Sequence, residues 1–133
     1  MEDPSVGVVI VDHGSRRAES NEMLQQFAQL YQEVTGRDLV EIAHMELAQP
    51  TIEQAMSKCV ERGASKVIVA PYFLSRGRHI QEDIPALVAA AQEKLPGGVE
   101  CVIAEPIGID GLMAQLIENR VRAAASAGAS SQA

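Results

Sequence analysis

The chain has no tryptophan, and aromatic residues make up only 3% of its 133 positions. Its core must therefore rest on Val, Ile, Leu, Met and Ala. Positive charge is also scarce: 11 Lys and Arg stand against 18 Asp and Glu, a net charge of -7. That balance argues against non-specific binding of nucleic acid or of an anionic membrane, both of which need a basic field. No apolar run approaches the roughly 18 residues of a membrane span, and no secretory signal precedes the first apolar run. The two cysteines, Cys59 and Cys101, lie far apart and form no C-x-x-C pair. They read as reduced, buried thiols, which points to a reducing compartment, cytosol or plastid stroma. The glycine signatures of nucleotide sites are missing. Ser15 does not sit in a G-x-S-x-G elbow, so hydrolase chemistry has no support.

What is present is an alternation of short β-branched runs with longer helical patterns. Val6–Val11 is nearly all apolar, as in a strand covered on both faces. Leu39–Ala43, Lys66–Ala70 and Val99–Ala104 read as three more strands. Between and after them, apolar residues recur at helical spacing: Met23 to Val34, Ile52 to Val60, Ile84 to Ala91 and Leu112 to Val121. Pro50 is expected to open the second helix, Asp83 and Pro85 to start the third, and Asp110 to cap the fourth. The βαβαβαβα pattern predicts an α/β, flavodoxin-like fold with a four-stranded parallel sheet in the order 2-1-3-4 and helices on both faces. Residues 1–122 read as one domain. Residues 123–133 read as an Ala/Ser-rich tail whose second half frays.

Ligands of such sheets bind beyond the carboxyl ends of the strands, at the point where strand order reverses. That point lies between strands 1 and 3. His13 follows strand 1, His44 and Glu46 follow strand 2, and His79 follows strand 3 across a loop. A lone histidine is more often structural or a surface residue, but all three of this chain fall on one edge. Imidazole suits both metal binding and proton transfer. Glu46 would complete a two-histidine, one-carboxylate set with donors suited to Fe, Co or Ni. No stretch has the dense ligand spacing of a structural zinc site.

Four of the 11 basic residues flank this edge: Arg16 and Arg17 after His13, Arg76 and Arg78 before His79. They are either ordinary solvated loop charge or a clamp for carboxylate or phosphate, both of which arginine binds bidentately. Asp12-His13-Gly14-Ser15 is also a candidate anion-binding turn.

Three segments carry a family resemblance: VDHGSRR at 11–17, HMELAQP at 44–50 and PYFLSRGRHIQEDIP at 71–85. Together they resemble the small sirohydrochlorin chelatases, over about Val6 to Arg122. The D-H-G-S-R-R and A-H-M-E-L-A segments look most like the ferrochelatase form of plants, algae and cyanobacteria. The resemblance implies a chelatase fold and a homodimer in which each subunit corresponds to half of a larger chelatase. It also implies insertion of Fe²⁺ or Co²⁺, as substrate metal, into the tetrapyrrole sirohydrochlorin. The family's two metal-handling histidines match His13 and His79, and an acidic residue of related chelatases matches Glu46. Arg16, Arg17, Arg76 and Arg78 would hold the substrate's carboxylates, with Ser15 and His44 as further substrate contacts. The plant enzymes carry a cysteine-rich C-terminal extension with an iron–sulfur cluster. This chain ends in an Ala/Ser tail, so no cluster and no permanently bound cofactor are expected. A non-catalytic metal or tetrapyrrole carrier, or a phosphate-binding module, are the alternatives.

Overall fold

The computed structural model describes residues 5–75, 77 and 82–131, the side chains of 128–131 excepted. Four strands and four helices alternate: β1 (Val6–Asp12), α1 (Ala18–Thr35), β2 (Val40–His44), α2 (Ile52–Glu61), β3 (Lys66–Pro71), α3 (Ile84–Glu93), β4 (Glu100–Ile103) and α4 (Gly111–Ser131). The strands form one parallel sheet in the order β2-β1-β3-β4, the order expected from the alternation of runs.

Side chains alternate across a strand, and β1 divides its apolar run between two cores. Val9 and Val11 pack with Ala43, Val67 and Val69 against α2 and α3. Val8 and Ile10 pack with Val40 and Ile42 against Leu24, Phe27 and Ala28 of α1. At the start of β1 the chain comes very close to α2. A Cβ on Gly7 would lie 2.9 Å from both Cβ and Sγ of Cys59, so only glycine fits without a shift.

Two helix starts differ in detail from expectation. Pro50 does not open α2. The helix begins at Ile52 behind a capping box, in which Thr51 accepts from the Gln54 N–H and the Gln54 side chain accepts from the Thr51 N–H. Two satisfied backbone donors fix that start better than a proline without a donor. Asp83 precedes α3 and Pro85 lies in its first turn, but the Asp83 side chain makes no capping bond. Asp110 does cap α4, accepting the Leu112 N–H at 2.8 Å.

Residues 123–131 do not leave the helix. They continue α4, whose 21 residues end at Ser131, because alanine is the best helix former. α4 has little packing against the sheet. Its apolar stripe stays exposed: Leu112 81%, Ile117 59%, Val121 54%.

Both cysteines are free thiols. Burial, reinforced by Glu41 and opposed by Arg62, pushes the Cys59 thiol up to about 12 from 9.0. Burial also raises Cys101, with Glu100 adding to it. We expect Cys59 to resist alkylation near neutral pH until the chain unfolds, since the thiolate is the nucleophile; peptide mass mapping reads this directly. The sign for stability follows. Below 9.0 both states keep the proton. Above it the unfolded chain releases the proton and the native one does not, so stability falls from pH 9.0 towards about 12.

Candidate metal-handling site

β1 and β2 end side by side. Their last register pair is Asp12 and His44. The pairing continues one step into the loops: Met45 N–H donates to the Asp12 carbonyl at 2.8 Å and Glu46 N–H to the His13 carbonyl at 3.0 Å. These bonds carry His13 and Glu46, 33 residues apart in sequence, to the same rung. There the His13 Nε2–H donates to Glu46 Oε2 at 2.6 Å. Both side chains are about half exposed, 46% and 52%, so the pair stands open to a ligand from solvent.

The loop after β2 is held shut at its base. His44 N–H donates to the Pro50 carbonyl at 2.8 Å, and Leu47 turns the chain with a φ of 73°. The loop before α1 is held by side chains. Asn21 Oδ1 accepts the Ser15 N–H at 3.1 Å, and its amide donates to the Ser15 carbonyl at 2.8 Å. The Ser15 hydroxyl oxygen accepts the Arg17 N–H at 3.0 Å. The Ser15 N–H of the suspected anion-binding turn, and the Arg17 N–H just after it, are thus committed inside the chain. The loop braces itself, with Arg16 and Arg17 on its exposed side.

His44 differs from expectation. It is only 1% exposed, and its Nδ1–H donates to Asp12 Oδ1 at 2.6 Å. Buried behind the rim, it has no face to offer a substrate. Sequence reasoning named Asp12 only within the suspected anion-binding turn, missing its bond to His44, and overlooked Asn21. Asp12 was recoverable, because strand order 2-1-3-4 sets the last residues of strands 1 and 2 opposite each other. Asn21 carries no such signal, since its reach back to Ser15 depends on the angle at which α1 leaves the loop.

Arg76, Arg78 and His79 lie outside the described residues. Among the described residues no group of three or more His, Cys, Asp or Glu could hold a metal; His13 and Glu46 supply two donors. Glu46 also borders a hollow of about 290 Å³ beside Asp83 and the first turns of α3. A larger hollow of about 560 Å³ lies under α4, lined by Phe27, Tyr72, Phe73, Leu112 and Leu116 among others. Among the described residues its only charged wall residue is Asp110, so size alone does not make it the metal site.

An exposed His–Glu pair beyond the carboxyl ends of β1 and β2 in a small flavodoxin-like sheet is a candidate metal site, and comparison with known proteins gives the family. The CbiX family model matches residues 7–124. The chain is 47% identical over 116 residues to the chloroplastic sirohydrochlorin ferrochelatase of Arabidopsis thaliana, covering 87% of this chain and 51% of that one. It is 31% identical to the sirohydrochlorin cobaltochelatase of Methanopyrus kandleri, covering 90% and 96%. Among solved structures, the sirohydrochlorin chelatase SirB of Bacillus subtilis subspecies spizizenii in complex with cobalt superposes with a TM-score of 0.82 at 29% identity, covering 89% and 50%. The chain therefore belongs to the CbiX family. It spans about half the length of the Arabidopsis and Bacillus relatives and nearly all of the Methanopyrus one.

Proposed function

We propose that the protein is a chelatase that inserts a divalent metal into sirohydrochlorin, with Fe²⁺ the first expectation and Co²⁺ the alternative. The His13–Glu46 contact at 2.6 Å carries this reading. Ligand nitrogen and oxygen each sit about 2.0–2.2 Å from a bound first-row ion, so two donor atoms this close need only a small adjustment to share one cation. Similarity to a plant ferrochelatase supports iron, and similarity to archaeal cobaltochelatases supports cobalt.

The reaction must remove two pyrrole N–H protons for each metal ion that enters. His13 and His79 would hold the incoming ion and accept those protons, with Glu46 taking the proton that His13 Nε2 now shares with it. Arg16, Arg17, Arg76 and Arg78 would hold the substrate's carboxylates, and Ser15 shapes the loop that presents two of them. An insertion assay with Fe²⁺, Co²⁺ and Ni²⁺ on sirohydrochlorin tests the proposal. Stoichiometric binding without turnover would make the protein a carrier instead. Arg78→Ala should raise the KM for sirohydrochlorin several-fold and leave metal affinity unchanged; an unaltered KM would reduce Arg78 to surface charge.

The working form would be a homodimer. The exposed stripe of α4, with Met23 and Leu30 of α1 also exposed, supports a second copy as its cover. So does the fact that the chain matches about half of the Bacillus chelatase chain on which it superposes. Ile117→Asp should convert a species of twice the chain mass into a monomer in sedimentation equilibrium. A wild-type monomer would rule the dimer out. The chloroplastic relative and the two free thiols support a reducing aqueous compartment, stroma or cytosol. No helix among the described residues is long and apolar enough to cross a membrane.

A further inference from the structure

We propose that His44 is a positioning residue: through Asp12 it locks the ends of β1 and β2 in register and so holds His13 and Glu46 within reach of one metal ion. The inference rests on the metal-handling role proposed above for His13 and Glu46.

Four observations converge on it. Asp12 and His44 are the last paired residues of their strands. The bond between them is short, 2.6 Å, and only 2% of the His44 side chain is exposed. The next rung outward is His13 and Glu46, also at 2.6 Å. Among the described residues two backbone bonds, Met45 to Asp12 and Glu46 to His13, continue the ladder between the two rungs.

A polar pair is an expensive way to fill such a position. Burying an imidazole and a carboxylate beside each other is often no better for stability than burying apolar groups of similar volume. What an apolar pair lacks is direction. Val or Leu at 12 and 44 would permit sliding or splaying of the strand ends, whereas a hydrogen bond is short and angular. His44 also carries, on its main chain, the bond to Pro50 that closes the loop bearing Glu46. One residue thus sets both the lateral register and the loop base. Groups that orient metal ligands from behind are typically worth about 10- to 100-fold in metal affinity or activity.

The test uses the full chain and Co²⁺ alone, followed by visible absorption, alongside insertion kinetics. His44→Leu and Asp12→Ala should each weaken Co²⁺ binding by about 10- to 100-fold and raise the KM for metal, with the KM for sirohydrochlorin unchanged. The double variant should lose no more than the worse single one, since both remove the same bond. His44→Asn, which returns an N–H near the Nδ1 position, should recover most of the affinity. If His44→Leu does not fold, Asp12→Ala and His44→Asn carry the test, because Asp12 is partly exposed at 23%. Wild-type Co²⁺ affinity in folded His44→Leu or Asp12→Ala, or additive losses in the double variant, would overturn the proposal. Wild-type protein that binds Co²⁺ but inserts none would defeat the chelatase reading alone, leaving the positioning role to stand or fall on the Co²⁺ titration.

Discussion

His13→Ala is expected to lower the rate of metal insertion by about 100- to 10,000-fold, the range for losing a positioned acid–base group, while the protein melts as before. The fold should be indifferent because the His13 side chain is about half exposed and belongs to neither core. The chemistry should not be, because the variant loses a metal donor and a proton acceptor together. His79→Ala should behave alike if the two imidazoles share the ion. Glu46→Gln should cost less, about 10- to 100-fold, because the amide keeps an oxygen near the ion and loses only the charge and the proton sink. The measurement is turnover at limiting metal. Near-normal turnover in His13→Ala would remove the central residue of the mechanism.

Gly14→Ala should damage stability and activity together. Gly14 has a φ of 100°, and a Cβ there would run into the carbonyl oxygen of Glu46 and lie 3.2 Å from the His44 Cβ. The obstacle is backbone, so a rotamer change cannot relieve it. The strained conformation alone costs about 1–3 kcal/mol, and relief of the clash must push the Glu46 segment away from His13. Gly36→Ala is the matched control. Its φ is 76°, but a Cβ would meet nothing within 4 Å, so it should show the strain and keep the metal chemistry. Thermal unfolding and Co²⁺ titration of both variants separate the two contributions. Equal behaviour would mean that the approach of Gly14 to Glu46 plays no part in shaping the site.

The core was legible because its signal is local. A continuous run such as Val8–Val11 demands cover on both faces, and right-handed crossovers then leave few strand orders. Placing His13 and Glu46 on one rim followed from that order, without any contact being known. The burial of His44 was not legible, for a different reason. Strand spacing says that a residue ends a strand, but not whether its side chain faces the rim or turns back under it. That depends on Asp12 across the sheet. The apolar stripe of α4 reads like that of α1, and periodicity alone cannot say whether a stripe packs within its own subunit. The start of α2 was written in Thr51 and Gln54, a capping signature that the neighbouring Pro50 obscured.

A parallel sheet also has a quiet side. The turns at the amino ends of the strands, around Gly36, Gly63 and Gly97, meet open space where a side chain would be added, and none of the proposed metal or substrate contacts lies there. A dye, an affinity handle or a link to a solid support fixed at that end would leave the opposite rim facing the bulk solution. The molecule can therefore be anchored by its inert end, and its affinity for metal ions measured on a surface.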